Sequence, residues 1–460
     1  MKWGDMDMDH AAVADLEELR SRLHGDLRLP GEPGWDESRG AWQLLADQYP
    51  DAVVDAADVH DIVETVRAAR ALGLGVAPQS TGHAAGALSD LTGAILLRTS
   101  RLDGVSIDPV AGTARVGAGA QWGAVAAATA EHGLAPVAGM AAGVGVAGLL
   151  LGGGLGWFAR SHGLASNAIV SFEAVDTQGR MLTVDEHEHP DLLWAAHGGA
   201  LPVILTEVVI RLHPVPQLSA GSLMWPAERM AEVAEVWRVW IGAVPRSVTS
   251  VLRVLRFPPI EQIPEPMRGR SFVGVEAAIQ EDAETTERLL APLRARDPEQ
   301  DTFAPMTASG LAAVHGDPPE PSGAHGAAQL LTEITPEVVA TLLAALDEPI
   351  AAPLLSIELR HLGGAASDAS VDGAVATVDG EGLVYLVGMV PFPEALQPVQ
   401  AAADAVVARL RPYGSARQVK TFTDSPAPAE ELYGAAAQRL RKIRADWDAD
   451  GVLRAVHPLG

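Results

Sequence analysis

From Gly133 to Ala159 the chain carries no charged residue and no histidine, and nine of those positions are glycine. The run is longer than a bilayer crossing requires. Built as one helix, however, it would lose about 1 kcal/mol per glycine relative to alanine, and no basic cluster flanks it, so a membrane span is disfavoured. Glycine has a different use here. It lets the backbone pass close to another chain or to a ligand, and it can turn successive N–H groups toward an anion. A second glycine turn precedes this run, Gln79-Ser-Thr-Gly-His-Ala-Ala-Gly86, and holds a histidine. Two such turns constrain the fold more than either does alone.

At 460 residues the chain supports two or three domains, and 48% hydrophobic residues supply their cores. Lys plus Arg number 33 against 59 Asp plus Glu, a formal charge of −26 that repels nucleic-acid phosphates and anionic membranes, so neither is an expected partner. The absence of cysteine removes disulfides, thiolate metal sites and cysteine nucleophiles, and no metal site is expected. The segment Met1 to His10 is rich in Asp and lacks the apolar stretch of a secretory signal, so a cytoplasmic location is expected.

Asp55 to Gly73 reads as a helix, with Val59, Ile62, Val63, Val66 and Ala69 at helical spacing and a glycine stop at its end. Short strands are expected at Gly75 to Pro78, Ala94 to Arg98 and Thr113 to Gly117, followed by a helix over Trp122 to His132. Beyond the glycine run, Ile169 to Asp176 and Arg180 to Val184 flank the turn Thr177-Gln-Gly179, and Val203 to Leu212 reads as a strand stopped by Pro214 and Pro216. Residues 217–420 show strand-like runs at Ser250 to Arg256, Ser271 to Ile279, Leu354 to His361 and Leu383 to Val390, with helical runs such as Thr285 to Arg294 and Pro336 to Leu346 between them. Asp317 to Ser322 reads as a surface loop and Gly363 to Gly382 as a polar hairpin or mobile connection. Tyr433 to Asp448 reads as a helix directing Leu440 and Ile443 to a core. The class is α+β rather than strict strand–helix alternation.

Gly143-Val-Gly145-Val-Ala-Gly148 matches the dinucleotide fingerprint, but Gly152, Gly153, Gly154 and Gly156 would disrupt the helix that this fingerprint requires. Taken together, Ser80-Thr-Gly-His-Ala84, Gly133-Leu-Ala-Pro-Val-Ala-Gly139, the stretch Gly143 to Trp157, His162-Gly-Leu-Ala, His189-Pro-Asp-Leu-Leu-Trp194, Arg211-Leu-His-Pro214 and Glu358-Leu-Arg-His-Leu-Gly-Gly364 form an ordered set. This set resembles the flavoproteins of the vanillyl-alcohol oxidase and berberine-bridge-enzyme superfamily, and bacterial 6-hydroxy-D-nicotine oxidase-like members look most similar. The resemblance implies a two-lobed FAD-binding domain of the p-cresol methylhydroxylase type and a substrate domain with an antiparallel sheet covered by helices. It divides the chain into an N-terminal extension (1–45), the FAD-binding domain (46–216), the substrate domain (217–420) and a C-terminal segment returning to the FAD domain (421–460).

The same resemblance implies FAD contacts from Gln79, Ser80, Thr81, Gly82, His83 and Gly86 in the first turn, and from Gly143, Val144, Gly145, Gly148 and Gly153 in the second. Val203 and Ile204 fall on the strand near the adenine, or serve as a plain core strand. His83 stands where relatives bond the flavin 8α-methyl carbon; alternatively it is an imidazole hydrogen-bonded in a turn. A second, thioether attachment is excluded because Met140 to Gly143 contains no cysteine. The chain departs from the pattern at Gln79, where arginine is common, at the shortened His197-Gly-Gly-Ala-Leu-Pro-Val, and at Trp447-Asp-Ala449 and Val456.

On the substrate side, alternation along Leu354 to His361 places Glu358 and Arg360 on one face and Leu359 and His361 on the other. The resemblance directs Glu358 and Arg360 toward the pocket; alternatively they form an ion pair bracing the sheet. Asp424 falls near a segment that supplies a polar residue to the flavin face in relatives. The chain's four tyrosines, Tyr49, Tyr385, Tyr413 and Tyr433, include no obvious counterpart of the phenolate base of many relatives. The implied activity is an FAD-dependent oxidase that removes hydride from a C–H beside an O–H or N–H of a small organic substrate and passes electrons to molecular oxygen. The alternative is a flavin-fold protein with a non-redox or ligand-binding role.

Overall fold

The computed structural model describes residues 10–88, 90–368 and 370–459. Among them three large sheets organise the chain, beside a two-stranded ribbon of Leu134–Ala135 and His213–Pro214. In the first, Asp26–Arg28, Ala52–Asp55, Ala94–Arg98 and Gly75–Gln79 lie side by side, the outermost pair antiparallel and the others parallel. The parallel strands Ala52–Asp55 and Gly75–Gln79 need a crossover, which is the helix Val59–Leu72. The Asp58 carboxylate caps its first turn, Gly73 at φ +71° ends it, and Ile62, Val66 and Ala69 face the sheet. The C-terminal segment reaches this sheet too, where the Val76 N–H donates to Val452 O and the Arg454 N–H to Val76 O.

The second sheet is antiparallel throughout: Val105–Asp108, Thr113–Gly117, Ile204–Arg211, Ile169–Val175 and Met181–Val184. Its hairpin turns at Thr177-Gln-Gly179, with Gly179 at φ +70° and the Asp176 carboxylate accepting the N–H groups of Gln178 and Arg180. The third sheet runs Gln300–Asp301, Ser219–Pro226, Ser271–Ile279, Val248–Arg256, Ser356–His361, Gly382–Met389 and Ala324–Leu331, again antiparallel, with Ala304–Pro305 also paired to Ser219–Pro226. Helices Met230–Ile241, Ala283–Arg294, Pro336–Leu346 and Leu396–Leu410 cover one face and bury Leu252, Val254, Ile357 and Leu359. Four strands of this sheet, Ser219–Pro226, Gln300–Asp301, Ala304–Pro305 and Ala324–Leu331, and two of its helices, Met230–Ile241 and Leu396–Leu410, have no counterpart among the expected elements.

The opposite face of that sheet receives the glycine run. Met140, Trp157 and Phe158 pack with Ala220, Val251 and Ala278, while Leu155, Ala159 and Leu164 pack with Leu330, Leu383 and Phe422. Within the run Val146–Leu151 is helical and Ala159 opens the next short helix, and no helix among the described residues is long and apolar enough to cross a membrane. The chain then doubles back so tightly that a Cβ on Gly156 would stand 1.8 Å from Ala138 O. That glycine is required by packing. The expected hairpin at Gly363 to Gly382 does not form. Val375 and Ala374 donate backbone N–H groups to His197 O and Trp194 O, so the segment is a strap tied to the end of the helix Pro190–Ala196.

Candidate functional site

The strand Gly75–Gln79 delivers the first glycine turn at its C-terminal end. The N–H groups of Ser80, Thr81, Gly82 and His83 donate to no acceptor among the described residues, although their segment is only partly exposed. Four successive N–H groups with no protein acceptor are available to an anion. The Gln79 amide nitrogen is likewise buried without a partner. The second turn lies directly against the first: a Cβ on Gly145 would stand 2.8 Å from Ser80 Oγ, which itself donates to Gly119 O at 3.3 Å. The Val144 carbonyl accepts from Trp122 and thereby pins this turn.

The glycines divide by what surrounds them. Gly152 and Gly154 are crowded by Thr421 and by Ala165 and Leu149, and so serve the protein's own packing. Gly143 and Gly148 have no atom within 4 Å of a built Cβ, and Gly153, at φ +96°, has only Leu164 at 3.9 Å. Glycines that face open space beside a nest of free N–H groups fit a bound pyrophosphate, and on these grounds the residues present fit FAD. Val203 and Ile204 are buried in core clusters by their side chains, leaving only backbone for any ligand.

His83 Nδ1 and Thr81 Oγ1 are 2.7 Å apart, and the Trp42 indole stacks on the imidazole at 4.2 Å. Trp42 and Gln43 donate backbone N–H groups to Thr81 O and Gly82 O, an alignment of residues 42–43 with the turn that sequence reasoning missed. Burial pushes the His83 imidazole down to about 4, so the ring is neutral near pH 7. The tautomer that donates Nδ1–H to Thr81 leaves a lone pair on Nε2.

The substrate-side groups approach the same place. A Cβ on Gly86 would stand 3.0 Å from Asp424 O, and one on Gly326 would stand 2.6 Å from the Tyr385 hydroxyl and 2.9 Å from Asp424 Oδ2. Asp424 accepts the Gly326 N–H at 2.9 Å; burial outweighs that bond and raises its carboxyl above the usual range. Tyr385 pairs in register with Glu358, and burial first, then Asp424, raises its phenol well above 10. This tyrosine had no local sequence signal; only the register brings it to Asp424.

Glu358 and Arg360 do form an ion pair, Oε2 to Nη2 at 2.6 Å, and it belongs to a buried network. His315 bridges Glu276 (2.6 Å) and Glu358 (3.2 Å), and Arg253 pairs with Glu276 at 3.1 Å. Burial opposes charge on His315, yet the two carboxylates push its imidazole up to about 9. Burial likewise opposes charge on Glu358, but Arg360 and His315 hold its carboxyl well below the usual range. Arg360 also reaches Met140 Sδ at 3.1 Å and lies over the Phe422 ring at 4.7 Å, which ties this network to the glycine run and the C-terminal segment. Arg253, Glu276 and His315 escaped sequence reasoning, although Glu276 is the single carboxylate in an otherwise apolar strand. Away from this site, His24, Asp58 and Asp61 cluster, but the Asp61 carboxylate is already occupied by the N–H groups of His24, Gly25 and Ala57.

The fold and the nest define a flavin-binding class, and comparison with known proteins agrees. Residues 50–185 match the family described as FAD binding domain. (R)-6-hydroxynicotine oxidase of Paenarthrobacter nicotinovorans is 31% identical over 214 residues, 46% of either chain. The FAD-linked oxidoreductase YvdP of Bacillus subtilis (strain 168) is 28% identical over 238 residues, 51% of this chain and 53% of that one. The chain thus spans about half the length of the curated relatives it matches. Among solved structures, Physcomitrella patens BBE-like 1 superposes with a TM-score of 0.83 at 18% identity, covering 97% of this chain and 99% of that one. 6-Hydroxy-D-nicotine oxidase from Arthrobacter nicotinovorans gives 0.80 at 21%, covering 94% and 97%. Residues 50–185 thus carry an FAD binding domain, and the chain as a whole shares the fold of these BBE-like and nicotine-oxidase structures.

Proposed function

We propose that this chain is an FAD-dependent oxidoreductase, an oxidase, acting on a small organic substrate at a C–H beside an O–H or N–H. The observation that carries the reading is the contact of the two glycine turns at Ser80 and Gly145, with free N–H donors and unfilled glycine faces beside it. Residues 46–216 with the C-terminal segment 421–460 hold the cofactor, residues 217–420 supply the substrate-side sheet, and residues 1–45 form an extension. Ser80 to His83, Gly143 to Gly148 and Gly153 hold the diphosphate, Gln79 and Gly86 flank it, and Val203 and Ile204 pass the adenine. His83 Nε2 is the attachment atom for the ring. Bound FAD supplies a two-electron acceptor for hydride, and oxygen is the terminal acceptor.

The protein's part is to bind, orient and take a proton. Asp424, whose carboxyl burial raises above the usual carboxylate range, accepts the substrate O–H or N–H proton. Glu358 is too well stabilised as an anion for that task and instead fixes the Arg360 guanidinium, which orients the substrate. Tyr385 stays protonated and donates to the substrate oxygen or nitrogen. The test is anaerobic reduction of the flavin-loaded protein by a panel of amines, alcohols and sugars, followed at the flavin absorbance. Bleaching by one of them, slowed about 10²- to 10⁴-fold in Asp424→Asn with substrate affinity retained, is the expected result. A loaded protein that no member of the panel bleaches favours a ligand-binding role.

A further inference from the structure

Behind the glycine turn, and meeting the proposed diphosphate site at Gly153, opens a cavity of about 330 Å³ that no residue of 79–86 or 143–148 lines. Its walls are the backbone of Gly152, Gly153 and Gly154, Gly198, the strap 371–379, and Arg417 to Lys420 of the C-terminal segment. The Lys420 ammonium donates to Leu151 O and Gly199 O and lies 5.0 Å from the Tyr433 ring centre. Among the described residues it has no carboxylate partner. Arg417 makes no ion pair within 4 Å among the described residues, though the Asp379 carboxylate acts on it across the rim; its Nε and Nη2 donate to Glu431 O and Leu432 O.

Lysine is scarce in this chain. Of 33 Lys and Arg residues, only Lys2, Lys420 and Lys442 are lysine. Lys442 is an exposed surface residue paired with Asp446 at 2.9 Å. A sequence that otherwise supplies its cations as arginine has placed a lysine at the wall of a cavity, and the chemical difference between the two is that lysine can surrender its proton and become a nucleophile. Burial without a carboxylate brings the Lys420 amine down to about 7. The groups around it are the Tyr433 phenol, the His457 imidazole and the Arg417 guanidinium, with Asp372 and Asp379 exposed at the rim.

We propose that Lys420 is an amine nucleophile and that this cavity takes a small carbonyl compound bearing an acidic group, a 2-oxo acid or an acidic aldehyde, as an imine. The Nζ lone pair adds to the carbonyl carbon, the carbonyl oxygen takes the proton released by nitrogen, and water leaves as the C=N bond forms, with no change of oxidation state. Arg417 receives the acidic group.

The experiment exposes the full chain to glyoxylate with cyanoborohydride at pH 7.5 and maps the carboxymethylated lysines by mass spectrometry. Lys420 should be labelled at least about tenfold faster than Lys442, because a neutral amine at this pH is the minority form of an ordinary lysine. The Lys420 rate should level off above about pH 7 while that of Lys442 keeps rising. Labelling of Lys420 no faster than Lys442 overturns the proposal and needs no variant. Lys420→Arg should abolish that adduct and leave the one at Lys442. Arg417→Gln should remove the preference for glyoxylate over acetaldehyde at Lys420; a preference that survives overturns the assignment of the acidic group.

Discussion

Gly148→Ala separates the ligand's demands from those of the fold. Gly148 sits within the helix Val146–Leu151, and a Cβ there meets nothing within 4 Å. In the ligand-free protein the methyl therefore has room, and alanine in place of helical glycine should stabilise by up to about 1 kcal/mol. If the open face is where the cofactor lies, the same methyl intrudes on it, at a cost of about 1–3 kcal/mol for an overpacked contact. Since about 1.4 kcal/mol is tenfold in affinity, FAD should bind roughly 5- to 150-fold more weakly. The assay is a flavin-fluorescence titration of apoprotein in a His83→Ala background, which removes any covalent link, paired with urea unfolding of the apoproteins. Gly145→Ala is the control, because its methyl would meet Ser80 Oγ at 2.8 Å and should destabilise the apoprotein itself by about 1–3 kcal/mol. A Gly148→Ala protein that binds FAD as tightly as its parent would refute the reasoning.

Other outcomes follow from the buried charges. Glu276→Gln leaves Arg253 and His315 short of a counter-charge and should cost about 3–5 kcal/mol in urea unfolding; a loss below about 1 kcal/mol would mean the network is not formed. His315, raised to about 9, contributes stability that is complete below about pH 6.5 and fades as pH rises toward 9, so the stability gap between parent and His315→Gln should narrow over that window. His83, His213 and His457, lowered to about 4, and His361, lowered to about 3, act in the opposite sense: the unfolded chain takes protons first. The urea midpoint should therefore fall steadily from pH 6.5 to 4, and a flat profile would contradict their burial as neutral rings.

What the sequence revealed followed from local signals. Gly73 stops the helix Val59–Leu72 and Thr177-Gln-Gly179 announces its turn, because each depends on neighbours in the chain; the expected start at Asp55 falls too early, since that residue ends a strand and Asp58 caps the helix. Ser219–Pro226 escaped because Gly221 and two serines break the apolar pattern; Gly221 is needed where the Phe303 backbone crosses, a cause far away in sequence. Gly326 interrupts Ala324–Leu331 in the same way, making room for Tyr385 and Asp424. In the site, the glycine turns were legible as backbone chemistry. The network was not, since its members come from three strands and a short helix whose pairing no local pattern encodes. The strap over 371–379 shows the same limit: its bonds go to Trp194 and His197, so its polar composition alone read as a hairpin or a mobile connection.

If two glycine turns hold one FAD with its ring at His83, an acid-precipitation spectrum will show it. The parent protein, loaded with FAD, should be yellow and keep its colour in the pellet, whereas His83→Ala should bind FAD but release it to the supernatant. A parent that takes up no FAD, or a His83→Ala pellet that stays yellow, would contradict the account.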